Sequence, residues 1–411
     1  MSTQDKQHSR RDFIRKVCAA GAALTLGARG RVSAEDGSKN EAAVQVPTRP
    51  FGVSGVEVPI LSLGGVLGTS EMIVFRRAFQ LGVRYWDTAD SYRWGNNEKA
   101  IGKYFQRFPE DRKRVFLVTK SGSSDAKGLS EDLAGSLERM NTDYVDMYLL
   151  HAVSNARREL TPAIRAWAEK AKREGKIRLF GFSAHKNMEE GMQAAAGLGW
   201  IDGLMVSYNY RLMEKDRMKR AVDACAKAGI GLTAMKTQAA FSAHFYASIG
   251  SETDEGMNMT ERLMEKGITA EQARLKAVWE NPHIASICSA MPNMTILQAN
   301  AEAAMSTRRL SLGDRRRLSM YAQKTAAGYC AGCAELCEPA VEGRAPICDI
   351  MRYAMYRNGY GDRERAARLF RSLPSDVKKK IGSTDFSKAE KACPQGIRIA
   401  RVLQEARRDL G

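Results

Sequence analysis

Seven side chains in the sequence close or follow short apolar runs and carry chemistry: Asp87, Tyr92, Lys120, His151, Ser183, Asn209 and Lys236. Tyr92 lies five residues beyond Asp87. A phenol titrates near pH ~10 and is a poor proton donor at neutrality, but a neighbouring ammonium favours the phenolate and makes the proton easier to give. Lys120 supplies such a charge if it reaches Tyr92, and Asp87 would hold Lys120 protonated and oriented. His151 would hydrogen-bond a substrate carbonyl and set its position. Each residue alone has a structural reading, as a loop cap, a surface cation, a packed ring or a satisfied core histidine. Four of them at successive run ends point to proton-transfer chemistry at one mouth.

Sulfur forms a second group. Cys330, Cys333 and Cys337 stand in C-x2-C-x3-C spacing, and Cys393 is followed by Pro394. Three thiolates in a tight loop and a distant Cys-Pro resemble the four-cysteine ligation of a ferredoxin-type [4Fe–4S] cluster, with one more residue between the second and third ligands than in bacterial ferredoxins. Cys348 is the rival fourth ligand, at the start of the helical pattern 347–356. Four-thiolate zinc and a disulfide framework stay open as alternatives. Cys225 and Cys288 read as small buried apolar residues.

The elements that must position these groups follow from periodicity. From about Val56 to Ala304 short apolar runs alternate with helical patterns, the mark of parallel strands joined by helices. The strands are expected at 59–63, 84–87, 115–120, 145–151, 179–183, 203–208, 231–235 and 285–289. Helical sequence follows each one, at 70–81, 98–105, 130–140, 162–175, 187–197, 213–229, 269–280 and 294–304. Eight of each in this length predict an α/β fold, a (β/α)8 TIM barrel, with a C-terminal, mainly helical iron–sulfur extension. An open doubly wound sheet would want G-x-G-x-x-G after its first strand, and none is there. In a barrel the polar strand-end residues share the C-terminal mouth. The organisation expected is a signal over residues 1–34, a linker over 35–49, the barrel over 50–305 and the extension over 306–411.

Family resemblance enters through Asp87-Thr88-Ala89-Asp90-Ser91-Tyr92, Asn97-Glu98-x-x-Ile101-Gly102, Val118-Thr119-Lys120, Asp146-x-Tyr148-Leu149-Leu150-His151 and Gly181-Phe182-Ser183. In order and placement these resemble the aldo-keto reductases over roughly residues 50–305. The resemblance implies hydride transfer between a nicotinamide, NAD(P), and a small-molecule carbonyl or alcohol. It makes Tyr92 the general acid, Lys120 and Asp87 its tuning pair, and His151 the group that orients the carbonyl. It also assigns Gly64 and Gly65 to the first strand's end, Ser183 and Asn209 to the nicotinamide and Asn300 to the adenine. Departures cluster on the cofactor side: Ala184 follows Ser183, Met205 and Met235 replace a glutamine and an aromatic, Ile296 replaces the 2′-phosphate arginine, and Thr237–His244 matches the pyrophosphate loop poorly. A C-terminal extension with a cysteine cluster is seen in one branch of that family.

The net charge of +17 is uneven, with seven Lys/Arg against two Asp/Glu in residues 1–34 and 22 against 12 in residues 306–411. The tail's cations are spread along amphipathic segments, so a solvated basic face or a docking surface for an acidic partner is expected, and nucleic acid is not. Its many charges leave the tail limited apolar surface, so metal–thiolate bonds are expected to hold it to the rest. Ser9-Arg10-Arg11-Asp12-Phe13-Ile14 before the apolar stretch 17–28, with Val32-Ser33-Ala34 as a cleavage site, resembles a twin-arginine export signal. That predicts a folded, cofactor-loaded chain carried by the twin-arginine translocase to a bacterial periplasm, and no integral membrane protein. Two functions compete. One is an exported oxidoreductase with a redox cluster; the other is a binding or electron-transfer protein, with an electron-transfer partner, whose barrel has lost nicotinamide turnover.

Overall fold

The computed structural model describes residues 45–66, 71–239 and 267–411. A hairpin opens it, β1 (Thr48–Pro50) antiparallel to β2 (Glu57–Pro59). Eight parallel strands then close into a barrel: β3 (Leu61–Gly64), β4 (Tyr85–Asp87), β5 (Phe116–Ser121), β6 (Val145–Leu150), β7 (Ile177–Ala184), β8 (Gly203–Ser207), β9 (Gly231–Met235) and β10 (Ile284–Ala290), with β10 pairing both β9 and β3. The expected (β/α)8 barrel is the observed fold.

Its helices start where short polar side chains satisfy free backbone N–H groups. Asp125 accepts from Lys127 and Gly128 ahead of the helix Ala126–Met140. Thr161 accepts from Ile164, with Pro162 at the first helical position, where its missing N–H costs nothing. Thr269 and Gln272 form a reciprocal capping box ahead of Ala270–Trp279.

Strand residues facing inward fill the barrel. Tyr85, Val118, Met147, Leu149 and Met205 pack there with Phe51, which the hairpin inserts from the end where the strands begin. Phe51 explains two strand-initial glycines. A Cβ on Gly203 or Gly231 would lie 2.6 or 2.4 Å from its ring, so the aromatic plug and the glycines require each other.

The tail is not the poorly packed segment its charge suggests. Helices at Ile347–Tyr360, Arg363–Arg371, Ser375–Ser383 and Ile399–Leu410 enclose a core of their own around Ile350, Tyr353, Phe370, Ile381, Leu403 and Leu410. The charges lie on the outer faces of strongly amphipathic helices, which hides an apolar stripe inside a basic composition. Leu310, Leu318 and Tyr329, earlier in the extension, belong instead to the barrel's core. Among the described residues no helix is long and apolar enough to cross a membrane. The signal segment lies outside the described residues.

Candidate active site

At the C-terminal ends of β4, β5 and β6 the structure brings Asp87, Lys120 and His151 to one mouth, with Tyr92 in the turn after β4. That turn bends sharply: Arg93, Trp94 and Gly95 all have positive φ, and Tyr92 N–H donates to the Ala89 carbonyl. Lys120 Nζ donates to Asp87 Oδ1 at 2.5 Å, to the Thr88 carbonyl at 2.6 Å and to the Tyr92 hydroxyl at 3.4 Å. The Tyr92 ring stands edge-on to His151 with centroids 5.7 Å apart.

Glu98 and Arg139 buttress the turn. Buried Glu98 accepts from Thr119 and from Arg139 at 2.6 Å each, pinning the helix Asn96–Arg107 against β5. Burial lowers the Lys120 ammonium, but Asp87 and Tyr92 outweigh it and hold its pKa above the ordinary value. Tyr92 differs from expectation. Burial pushes it up to about 12, more than Lys120 draws it down, so the phenol stays loaded with its proton at neutral pH. Burial, followed by Lys120, Arg365 and Arg352, lowers His151 to about 3 and keeps its imidazole neutral.

The residues assigned to cofactor by resemblance all have partners within the chain. Gly65 N–H donates to the Asp87 carbonyl, and a Cβ on Gly65 would lie 2.1 Å from Asn97 Oδ1; one on Gly64 would meet Cys288 Sγ at 3.1 Å. Ser183 Oγ accepts from Ala152 N–H at 3.0 Å, and Asn300 donates to Ser289 at 3.1 Å. Asn209 donates to the Lys236 carbonyl and, at 2.8 Å, to the hydroxyl of Tyr329, a residue of the extension. Segment 240–266, with most of the expected pyrophosphate loop, lies outside the described residues.

The extension also brings residues that the sequence did not single out. Arg365 lies over the rings of Tyr92 and Tyr356, with Cζ 5.8 and 4.4 Å from their centroids. Arg368 covers Trp94 at 4.7 Å. Arg352 reaches Tyr356 and pairs with Asp349, and Lys236 lies 5.7 Å from the Tyr356 ring centre. His185, two residues past Ser183, completes the rim with a buried Nδ1 that has no hydrogen-bond partner among the described residues. Lys236 is marked by its place at a strand end; no local pattern marks the others, because each acquires its role only by meeting an element far away in sequence.

Cys330, Cys333, Cys337, Cys348 and Cys393 line one cavity with Pro394, Ile347 and Ile399. The rivals for fourth ligand are therefore both present, and Cys348 Sγ lies 3.9 Å from Cys330 Sγ. All five are free thiols, and among the described residues no group of three or more His, Cys, Asp or Glu is arranged to hold a metal ion.

A closed eight-stranded barrel with a tyrosine, lysine, aspartate and histidine at its mouth defines a class of (β/α)8 proteins, and comparison with known proteins identifies it. The Aldo/keto reductase family model matches residues 69–273, which span most of this barrel. It is 30% identical over 212 residues to the oxidoreductase YrpG of Bacillus subtilis, covering 45% of this chain and 64% of that one. The aldo-keto reductase yakc [NADP(+)] of Schizosaccharomyces pombe is 28% identical, over 46% of this chain and 59% of that one. The chain thus spans less than two thirds of the length of the curated relatives it matches. Among solved structures, an aldo/keto reductase of Klebsiella pneumoniae in complex with NADP and acetate matches with a TM-score of 0.53 and 25% identity, over 68% of this chain and 95% of that one. The holo form of AKR11C1 of Bacillus halodurans matches in fold, with a TM-score of 0.54 and 22% identity, over 67% of this chain and 96% of that one.

Proposed function

We propose that the chain is an exported oxidoreductase that interconverts a carbonyl and an alcohol, with Tyr92 as proton donor and a [4Fe–4S] cluster held by the extension. The observation that carries the reaction is the contact of Lys120 with both Asp87 and the Tyr92 hydroxyl at the mouth of a family barrel. In reduction the carbonyl carbon gains a hydride and the oxygen gains the Tyr92 proton; Lys120 then faces the resulting phenolate and stabilises it. Neutral His151 donates to the carbonyl oxygen and sets its angle. When bound, a reduced nicotinamide supplies the hydride, and an iron–sulfur cluster supplies electrons one at a time.

For the cluster, the donor set supports the reading. Soft thiolates suit iron, and five of them line one cavity together with the proline that follows Cys393. Cys330, Cys333, Cys337 and Cys393 would hold it. For nicotinamide the fit is incomplete, because the amide of Asn209 is already taken by Tyr329. That contact favours a second reading, an electron-transfer protein whose barrel no longer turns over nicotinamide. Export rests on the twin-arginine resemblance, with the translocase as transient partner and the periplasm as destination.

Anaerobic purification with iron and sulfide analysis, absorption spectroscopy and identification of released nucleotide separates the readings. Tyr92→Phe removes one hydroxyl and leaves the ring, so it should abolish carbonyl reduction with the fold intact. A full rate in that variant would remove Tyr92 from the mechanism, and a loaded cluster without carbonyl turnover would favour the electron-transfer reading.

A further inference from the structure

The extension roofs the mouth with positive charge that the described residues leave partly unbalanced. Lys120, Lys186, Lys236, Arg352 and Arg365 gather around Tyr92, His151, His185 and Tyr356. Asp87 is paired with Lys120, and Asp349 is divided between Lys186 and Arg352 at 2.7 Å each. Glu338 adds one carboxylate on the Lys186 side. Neither Lys236 nor Arg365 bonds a carboxylate among the described residues.

Lys236 and Arg365 are half-buried, and cations that face one another without a carboxylate repel, so an anion bound among them is stabilised. A cysteine-bound cluster would offset Lys236, which shares a cavity with Cys330, Cys348 and the open Nδ1 of His185. Arg365 does not line that cavity; its guanidinium lies against Tyr92 and Tyr356, on the side where the carbonyl must sit. The charge over Tyr92 calls for an anion of its own, at the place where the carbonyl must sit.

We propose that the mouth takes a carbonyl compound with a carboxylate beside the carbonyl, a 2-oxo acid, and that Arg365 is its carboxylate anchor with Lys236 behind it. This rests on the carbonyl-reductase reading for the role of Tyr92, and on the extension alone for the charge. A planar guanidinium binds a carboxylate through two parallel N–H donors and fixes its orientation, which places the adjacent carbonyl between Tyr92 and His151. Arg365 lies on the short loop-linked helix Arg363–Arg371, so the barrel supplies the acid and the extension selects the substrate.

Calorimetric titration of the anaerobically purified full chain with pyruvate, and with butanone as the neutral carbonyl, tests this without requiring turnover. Pyruvate should bind more tightly. Arg365→Gln should weaken pyruvate roughly 10–100-fold, the scale of a lost charge-assisted hydrogen-bond pair, and leave butanone unchanged. Arg365→Lys should recover part of that loss, and Arg371→Gln, on the exposed face of the same helix, should have no effect. Circular dichroism and iron content confirm that each variant is folded and loaded. Equal binding of the two carbonyls to the natural chain overturns the proposal. So does an Arg365→Gln variant that keeps its pyruvate affinity, including one in which only the cluster potential moves. If pyruvate binds as expected but no carbonyl is reduced, the failure belongs to the proposed reaction and the anion site stands.

Discussion

Breaking the Asp87–Lys120 pair should cost more than the pair itself contributes. Both side chains are almost wholly buried, 3% and 1% exposed, and their charged atoms are 2.5 Å apart. At an effective dielectric of about 20 that distance gives roughly 6–7 kcal/mol of attraction, against a desolvation penalty of several kcal/mol for each ion. The two nearly cancel, so the intact pair adds little net stability. Asp87→Asn removes the attraction and leaves the ammonium desolvated with only the Thr88 carbonyl and the Tyr92 hydroxyl, which should destabilise the barrel by about 3–5 kcal/mol. Lys120→Met in the same background removes the stranded charge and fills its volume, so the double variant should recover at least about 2 kcal/mol of that loss. All five tryptophans, residues 86, 94, 167, 200 and 279, lie in the barrel and none in the extension; Trp94 meets the extension through Arg368, so in a Trp94→Phe background tryptophan fluorescence during guanidinium unfolding follows the barrel. Losses that add to within about 0.5 kcal/mol across the four proteins would refute the coupling.

Three further expectations follow from the same geometry. His151, lowered from 6.5 to about 3, binds its proton more readily in the unfolded chain, so its contribution is complete above pH 6.5 and is lost as pH falls towards 3. In His151→Gln the pH slope of stability between pH 4 and 6 should therefore fall by about 1.4 kcal/mol per unit, and an unchanged slope would show the imidazole to be solvated. Phe370→Ala should cost the extension about 3–5 kcal/mol and expose residues 334–411 to protease, while the tryptophan-monitored barrel transition stays in place; loss of both together would mean that the two cores unfold as one. Cys393→Ser should lower iron and sulfide content and Cys348→Ser should not, with the reverse result moving the fourth ligand to Cys348.

The barrel was legible because its signals are local. Eight apolar runs and their following helices identify the elements to within a few residues, and the polar strand ends gather at one mouth because parallel strands all finish on the same side. The hairpin β1–β2 was hidden because Thr48 and Arg49 fall in the expected linker 35–49 and Pro50, Gly52, Gly55 and Pro59 interrupt any strand pattern after it, until Phe51 is seen filling the barrel floor. The extension's core was hidden differently: Phe370, Ile381 and Leu403 are separated by charges at helical spacing, and net charge carries no information about which face they occupy. Tyr92 shows the limit for the site. Its neighbours in sequence suggest an easily given proton, but burial under Arg365 and the surrounding turn governs the phenol, and burial is a property of the assembled fold.

The loop after β7 joins the two centres mechanically. Asn187, in a left-handed conformation, donates from its backbone to the Gly332 carbonyl at 2.7 Å and accepts from Glu335 N–H through its side chain at 3.0 Å. Lys186 adds its bond to Asp349 on the helix Ile347–Tyr360, whose first turn carries Cys348. Gly332, between Cys330 and Cys333, has φ of +84° and passes so close that a Cβ there would lie 2.5 Å from the His185 carbonyl. The cysteine loop is thus seated directly on the backbone that carries His185, one residue beyond the end of β7. A displacement of the Cys330–Cys337 loop must either break those backbone bonds, each worth about 1 kcal/mol net with a further penalty where the freed group stays buried, or carry His185 with it. The cysteine cavity and the barrel mouth therefore meet at one contact, made by the backbone of Gly332 against that of His185 and Asn187.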